Sequence, residues 1–234
     1  MNGADRATAP EHAARGEVAG IVLAAGAGRR YGRPKALVAL AGQLLVERAV
    51  SVLEAAGCRP VLAVLGAAAD EVQATADLGQ AETLVNDRWA QGMGGSLRLG
   101  IEAAARAGAA AAVVLPVDQP VVGPELVTRL VDRWRAGAVA VRAAFGGEGR
   151  TPVVLDRSLW PEVLAGAVGD AGARHVLAAH GDLVALVACD DVGAACDVDT
   201  PERLRAVEAR YGDVLGSGRS PASGPGRHRA HPTG

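Results

Sequence analysis

The stretch GIVLAAGAGRRYGRPK, Gly20 to Lys35, holds four glycines, three arginines, a proline and a lysine around a short apolar run. An ordinary strand-to-helix turn needs about one glycine. Backbone freedom combined with clustered positive charge describes a cradle for something multiply anionic. A Walker A loop would need Gly-Lys-Ser/Thr opening a helix, but here Gly32 is followed by Arg33-Pro34-Lys35. A dinucleotide fingerprint would need a third glycine where Tyr31 stands and a carboxylate ending the second strand, which instead reads VLGAAAD. Both patterns fail on the residues that carry their chemistry. Cys58, Cys189 and Cys196 lack close pair spacing, which argues against a disulfide framework or a zinc site and for a reducing, cytoplasmic setting. No Ser/His/Asp or Cys/His set stands out.

Such a cradle has to be held by rigid elements. VAGIVLAAG reads as a buried first strand ending in the glycine loop, and LLVERAVSVLEAAG as a helix closed by Gly57. RPVLAVLG is a second strand, Asp70 to Asp77 a short helix, AETLVND a third strand and Ser96 to Ala107 a helix. AAAAVVLPVD is a fourth strand whose end carries Asp118, and GPELVTRLVDRWRAG a helix with Pro124 in its first turn. AVAVRAAF, TPVVLD and DLVALVAC read as strands, GARHVLAAHG and TPERLRAVEARYG as helices. Strands that are near-continuous Val/Leu/Ala runs, alternating with helices, predict an α/β fold with a mostly parallel sheet covered on both faces. The break in alternation between Gly146 and Asp182 predicts a mixed sheet there.

At 234 residues, half of them apolar, the chain suits one compact domain. We expect a loose leader over 1–17, the domain over 18–211, and a disordered Gly/Ser/Pro/Arg tail over 212–234. A net charge of −2 gives no field to draw in nucleic acid. No apolar run reaches about 18 residues, so no membrane helix is expected.

The glycine loop resembles the signature of MobA-like nucleotidyltransferases, leucine-x-Ala/Gly-Gly-x-Ser/Gly-x-Arg-Met-Gly-x-Pro/Asp-Lys; it reads here as Leu23-Ala24-Ala25-Gly26-Ala27-Gly28-Arg29-Arg30-Tyr31-Gly32-Arg33-Pro34-Lys35. NDRWAQGMGGSLRLG is similar to the Asn-x-x-Trp-x-x-Gly-Met-x-x-Ser-Leu segment of the molybdenum cofactor cytidylyltransferase branch. VDQP at Val117, GDAGAR at Gly169 and DVDTPERL at Asp197 match three further motifs in order. The resemblance implies a Rossmann-like three-layer fold with the acceptor in the mixed-sheet half. It also implies a Mg²⁺-dependent transfer of a nucleoside monophosphate from an NTP to a phosphorylated pterin-type acceptor, with a molybdoenzyme or its chaperone as the receiving partner. Ala25, where guanylyl relatives carry glycine, favours CTP.

By the same resemblance, Leu23, Ala24, Ala25, Gly26 and Gly28 line the nucleotide, with Gly92 and Ser96 at a helix start. Arg30 and Lys35 would meet the triphosphate. Asp118 is the natural Mg²⁺ ligand and Asp199 the second, although Asp199 also lies near a helix start that Thr200 is better placed to cap. Asp197 has a capping or supporting part. Arg29 and Arg33 read as solvated loop charges, Trp89 as core, and His175 and His180 as surface or packing residues. The sequence departs from the pattern at Gly28 for serine, Tyr31 for methionine, and Arg150-Thr151 for glycine-histidine before Pro152-Val153, which bears on the acceptor. A second reading is a nicotinamide- or flavin-dependent reductase of the nicotine blue oxidoreductase type. A third is a non-catalytic module that hands cofactor on, which the joint presence of Lys35, Asp118 and Asp199 disfavours.

Overall fold

The computed structural model describes residues 15–167, 169 and 173–216. The chain runs β1 (Val18–Ala24), a hairpin of β2 (Ala39–Leu40) and β3 (Gln43–Leu44), α1 (Leu45–Ala55), β4 (Val61–Leu65), α2 (Ala69–Thr75) and β5 (Glu82–Val85). It continues through α3 (Met93–Arg106), β6 (Ala111–Pro116), α4 (Pro124–Arg135), β7 (Ala140–Phe145) and β8 (Glu148–Asp156). Last come α5 (Trp160–Gly166), α6 (Arg174–Ala179), β9 (Val184–Ala188) and α7 (Pro201–Gly216).

Seven strands form one sheet in the order β5-β4-β1-β6-β8-β7-β9. Only β8 runs antiparallel to its neighbours β6 and β7; every other pair in this sheet is parallel. The expected mixed character therefore rests on a single reversed strand. On one face, Leu45 and Leu53 of α1 and Leu126, Leu130 and Trp134 of α4 pack with Val18, Val22 and Leu115; on the other, Leu97 and Ile101 of α3 and Trp160 and Val163 of α5 pack with Ile21, Leu62 and Leu155. Side chains along β1 alternate between these two clusters, as a strand buried on both faces must. The chain leaves β1 toward β4 and β5, then crosses back to β6 on the other side. That reversal opens a crevice beyond the carboxyl ends of β1 and β6, the usual ligand position in such sheets.

Several boundaries differ from expectation. Helix α3 begins at Met93, three residues early, because Gly92 (φ 117°) turns the chain into it. Arg15 belongs to the leader expected to be loose, yet its guanidinium donates to the Trp134 carbonyl at 2.5 Å and to that of Ala138 at 3.0 Å, and lies over the Trp134 ring. These carbonyls at the end of α4 have no further helical turn to accept from. Residues 1–14 lie outside the described residues, as do 217–234. The tail expected from 212 is helical as far as Gly216. Leu215 is buried, and its carbonyl accepts from Arg48 of α1 at 3.3 Å, so tertiary docking offsets the weak helix propensity of Gly212. Leu215→Ala should therefore lower stability by about 2 kcal/mol, read from the denaturant midpoint. Truncation after Tyr211 should lower it at least as far.

Candidate active site

The loop after β1 and the end of β6 face each other across the crevice. Leu23, Ala25, Gly26 and Gly28 from the first, Asp118 from the second, and Gly92 and Ser96 from the start of α3 line a cavity of about 410 Å³. Gly28 sets the loop's shape. Its φ is +61°, and a Cβ on it would lie 1.9 Å from the Arg33 carbonyl oxygen, while its own carbonyl accepts from Tyr31 and Gly32 at 2.9 and 2.8 Å. The departure from serine is thus a requirement of this loop's backbone. Gly26, by contrast, has open space around its Cα and no positive φ. Among the described residues, no backbone acceptor takes the N–H groups of Gly26 to Arg29, which leaves a run of donors beside the cavity.

Lys35 follows Pro34 in a single 3-10 turn, Lys35–Leu37, which aims its side chain back under the loop. Its Nζ donates to Asp118 Oδ2 at 2.8 Å and to Asp199 Oδ1 at 2.5 Å. Arg30 meets the other oxygen of Asp199 at 3.0 Å. Asp199 reaches this point because Val198 N–H donates to the Asp118 carbonyl at 2.8 Å, pinning the segment before α7 to the end of β6. Thr200 Oγ1, and not Asp199, accepts from Arg203 N–H and caps α7, which frees the Asp199 carboxylate for the site. Gln119 Nε2 donates to Asp197 Oδ1 at 2.9 Å and steadies the same segment.

The electrostatics follow from this geometry. Burial works to lower the Lys35 pKa, but the two carboxylates together outweigh it and hold the ammonium above its ordinary value. Hydrogen bonding from Lys35 pulls the Asp199 carboxyl below the usual carboxylate range, against the cost of burial, and the Lys35 and Arg30 charges add to this. The Lys35 side chain is only 14% exposed, whereas that of Arg30 is 76% exposed. Lys35 is therefore a fixed cation, and Arg30 can leave its partner for a phosphate at little cost.

Some expectations need correcting. Ala24 is buried on the opposite side, with Val22 in the α1–α4 core, so its side chain forms no part of the wall. Trp89, expected in the core, is half-buried and lines the cavity; Arg29 is exposed, as expected of a solvated loop charge, and also borders the cavity. Arg33 does not. Gly94 N–H at the start of α3 is already bonded to the Gly169 carbonyl at 2.7 Å, which reduces what that helix terminus can offer an anion. Sequence reasoning missed Asn86, whose buried Nδ2 donates to Ser96 Oγ at 2.9 Å and fixes the hydroxyl at the cavity edge. The signal was its place as the first residue of the Asn-x-x-Trp segment. Asp170, Ala171 and Gly172 of the GDAGAR motif lie outside the described residues. His175 and His180 line neither this cavity nor its neighbour, and His180 pairs with Glu162. The neighbour is a second cavity of about 590 Å³ that shares Leu23, Met93 and Pro116 with the first and extends along β8.

Two carboxylates, two cations and unpaired N–H donors at parallel strand ends can bind a polyphosphate and absorb charge as it is cleaved. Residues 20–186 match the MobA-like NTP transferase domain. The chain is 40% identical over 194 residues to the nicotine blue oxidoreductase of Paenarthrobacter nicotinovorans, covering 80% of this chain and 94% of that one. It is 34% identical over 197 residues to the molybdenum cofactor guanylyltransferase of Cereibacter sphaeroides, covering 81% and 95%. Among solved structures, Rv0371c from Mycobacterium tuberculosis H37Rv superposes with a TM-score of 0.71 at 27% identity, over 82% of this chain and 98% of that one. A complex of Rv0371c with manganese superposes at 0.67 with 26% identity, over 82% and 97%.

Replacing Lys35 by methionine leaves Asp118 and Asp199 facing each other. In the native protein, the lowered Asp199 pKa contributes stability that is present above the ordinary carboxylate value and lost as pH falls through the lowered one. In Lys35→Met, mutual repulsion raises a carboxyl pKa instead, and the resulting penalty disappears on acidification. The variant's deficit should be about 1–2 kcal/mol at pH 7, and smaller near pH 4, by urea unfolding at both values.

Proposed function

The chain belongs to the MobA-like NTP transferase family, and from that premise we propose that it transfers CMP from CTP to the phosphate of a molybdopterin-type acceptor, releasing pyrophosphate. The observation that carries the reading is the Lys35 ammonium held between Asp118 and Asp199 beside the glycine loop. A phosphate-monoester oxygen attacks the α-phosphorus and forms a new P–O bond. The bond from that phosphorus to the oxygen bridging the β-phosphorus breaks, and pyrophosphate leaves with the electron pair. The acceptor is already ionised near pH 7, so no side chain has to remove a proton. What the protein must supply is charge compensation and alignment. The loop N–H groups and Arg30 serve the triphosphate, and Lys35 the charge that builds on the leaving group.

Asp118 and Asp199 suit a divalent cation. They supply oxygen donors only, and their carboxylates already converge on one positive charge, that of Lys35. Among the described residues, no group of three or more His, Cys, Asp or Glu could hold a metal. Two aspartates therefore need phosphate oxygens and water to complete the shell, which is the usual arrangement for Mg²⁺. Bound there, the ion would neutralise phosphate charge in the transition state. That a mycobacterial relative has been solved as a complex with manganese supports a divalent metal in this reading. CTP is supported by Ala25, whose methyl borders the cavity in which the nucleotide would lie. The pterin-type acceptor is supported by the name of the Cereibacter relative. No helix among the described residues is long and apolar enough to cross a membrane.

The 40% identity to a nicotine blue oxidoreductase favours a second reading, reduction by a nicotinamide or flavin nucleotide. Against it, β4 ends in Leu65 and is followed by Gly66-Ala67-Ala68, with no carboxylate at its tip to hold a ribose.

The purified protein should release pyrophosphate from CTP with a molybdopterin-type acceptor and Mg²⁺, and should neither oxidise NAD(P)H nor carry flavin absorbance; the opposite pattern makes it a reductase. Asp118→Asn, nearly isosteric, should cut pyrophosphate release by at least about 100-fold with the thermal midpoint kept. Ala25→Gly should narrow the preference for CTP over GTP in kcat/KM by roughly tenfold without reversing it, because one methyl at a pocket wall is worth about 1–3 kcal/mol.

A further inference from the structure

Among the described residues, Asn86 and Ser96 are the only polar or charged residues that are buried, and they are bonded to each other. Asn86 stands just past the end of β5, and its backbone N–H donates to the Leu65 carbonyl at the end of β4 at 2.9 Å. Its amide lies against α3 beside Gly95, where a Cβ would stand 3.3 Å from Nδ2. The direction of each hydrogen bond follows from what the groups can do. The Arg88 backbone N–H only donates, so the amide atom 3.0 Å from it is the carbonyl oxygen, Oδ1. The other amide atom, Nδ2, carries two hydrogens and does not accept. Ser96 Oγ, 2.9 Å away, therefore accepts, and its own hydrogen has to point elsewhere.

A hydroxyl inside a helix can donate to the carbonyl four residues back, as Ser51 does to Glu47 at 2.9 Å and Thr75 to Glu71 at 2.7 Å. Among the described residues, no acceptor takes the hydrogen of Ser96, which lines the first cavity. The charged groups of that cavity come from the glycine loop, Lys35, Asp118 and Asp199, and the wall from Trp89 to Ser96 contributes none. A donor on this uncharged wall suits the nucleoside half of a nucleotide, whose base and ribose offer oxygen and nitrogen acceptors, while the phosphates go to the fixed cation and the loop N–H groups. Asn86 itself lines neither cavity, so whatever it does for a ligand it does through Ser96.

We propose that Asn86 is a positioning residue: by occupying Ser96 Oγ as an acceptor, it makes the hydroxyl a one-way donor to an acceptor atom of the bound nucleoside. The assignment rests on the reading of the first cavity as the NTP site. A hydroxyl held in this way needs no reorientation when the nucleotide arrives, which is what preorganisation contributes to binding.

The test reverses the polarity of the pair. Asn86→Asp keeps the shape and the bond from Arg88, but puts an acceptor where Nδ2 stood, so Ser96 has to donate to it. Binding to the full-length protein is measured by calorimetry with Mg²⁺ and two probes, CTP and inorganic triphosphate, the second of which makes no nucleoside contact. At physiological ionic strength, where an added charge is screened, Asn86→Asp should weaken CTP at least about tenfold and leave triphosphate within about twofold. Unchanged CTP affinity, or an equal loss with both probes, overturns the proposal. Ser96→Ala should weaken CTP similarly, and adding Asn86→Asp to it should cost no more than about twofold again; full additivity also overturns the proposal. Should Asn86→Asp fail to fold, Asn86→Ala frees the hydroxyl instead of reversing it, and should show the same split between probes at a loss of about threefold. Ribose 5-triphosphate, which lacks the base, locates the acceptor: a loss it shares with CTP places the atom on the ribose, and a loss confined to CTP places it on the base. Pyrophosphate release is read in a separate assay. CTP binding without transfer to any acceptor rejects the transfer reading alone, and transfer with a CTP affinity indifferent to Asn86→Asp rejects the positioning role alone. A wild type that binds no CTP rejects both.

Discussion

Two aspartates brought to the same point repel each other, and the crevice depends on how that repulsion is answered. Asp118 arrives at the end of β6, and Asp199 on a segment tied to the Asp118 carbonyl by Val198 N–H. Lys35 comes from the far side of the glycine loop and bonds both. One ammonium thus staples three parts of the chain that are remote in sequence. Its burial would be unfavourable alone, and the pair of carboxylates would be unfavourable alone; together they are stable.

The reversed strand β8 matters nearly as much. In the parallel part of the sheet, only carboxyl ends of strands reach the crevice. Because β8 runs the other way, its beginning lies there, and Gly149, Arg150 and Thr151 line the second cavity beside Pro116. A parallel strand in the same slot would point those residues to the opposite edge. The two cavities share Leu23, Met93 and Pro116, so a donor in one and an acceptor in the other would meet over the end of β6. The sheet order therefore sets the geometry of the encounter, and the loops set its chemistry.

Flexibility and rigidity are divided unevenly across the site. Gly28 is locked in the left-handed region by the Arg33 carbonyl, and Ser96 is held by a buried amide, whereas the Arg30 side chain is mostly in solvent. Groups that shape the pocket are fixed, and the cation that would follow a moving phosphate is not. In the proposed transfer, developing charge would be met most effectively by dipoles and ions that need no reorganisation, a condition that Lys35 and the loop N–H groups satisfy.

Apolar runs of Val, Leu and Ala were enough to read the seven strands of the main sheet and most of the helices, though not the β2–β3 hairpin or α5, because burial on both faces leaves no other pattern for a parallel sheet. Glycine spacing and the run of arginines marked the anion cradle, and the ordered motifs brought Lys35, Asp118 and Asp199 into one candidate site. What the sequence could not express was which side a residue faces. Ala24 and Ala25 are identical neighbours, yet one is core and the other cavity wall, because alternation along β1 is decided by register with β4 and β6. Leu215 sits in a stretch whose composition reads as tail, and is buried only because α1 offers a surface and Arg48 a donor. Arg142 lies in what reads as an ordinary strand, and a ladder shift together with one missing Cβ turns it toward a cavity. Local sequence determined element type and the inventory of charges. Tertiary structure decided which of those charges meet, since burial and pairing energies depend on neighbours that may be more than a hundred residues away along the chain.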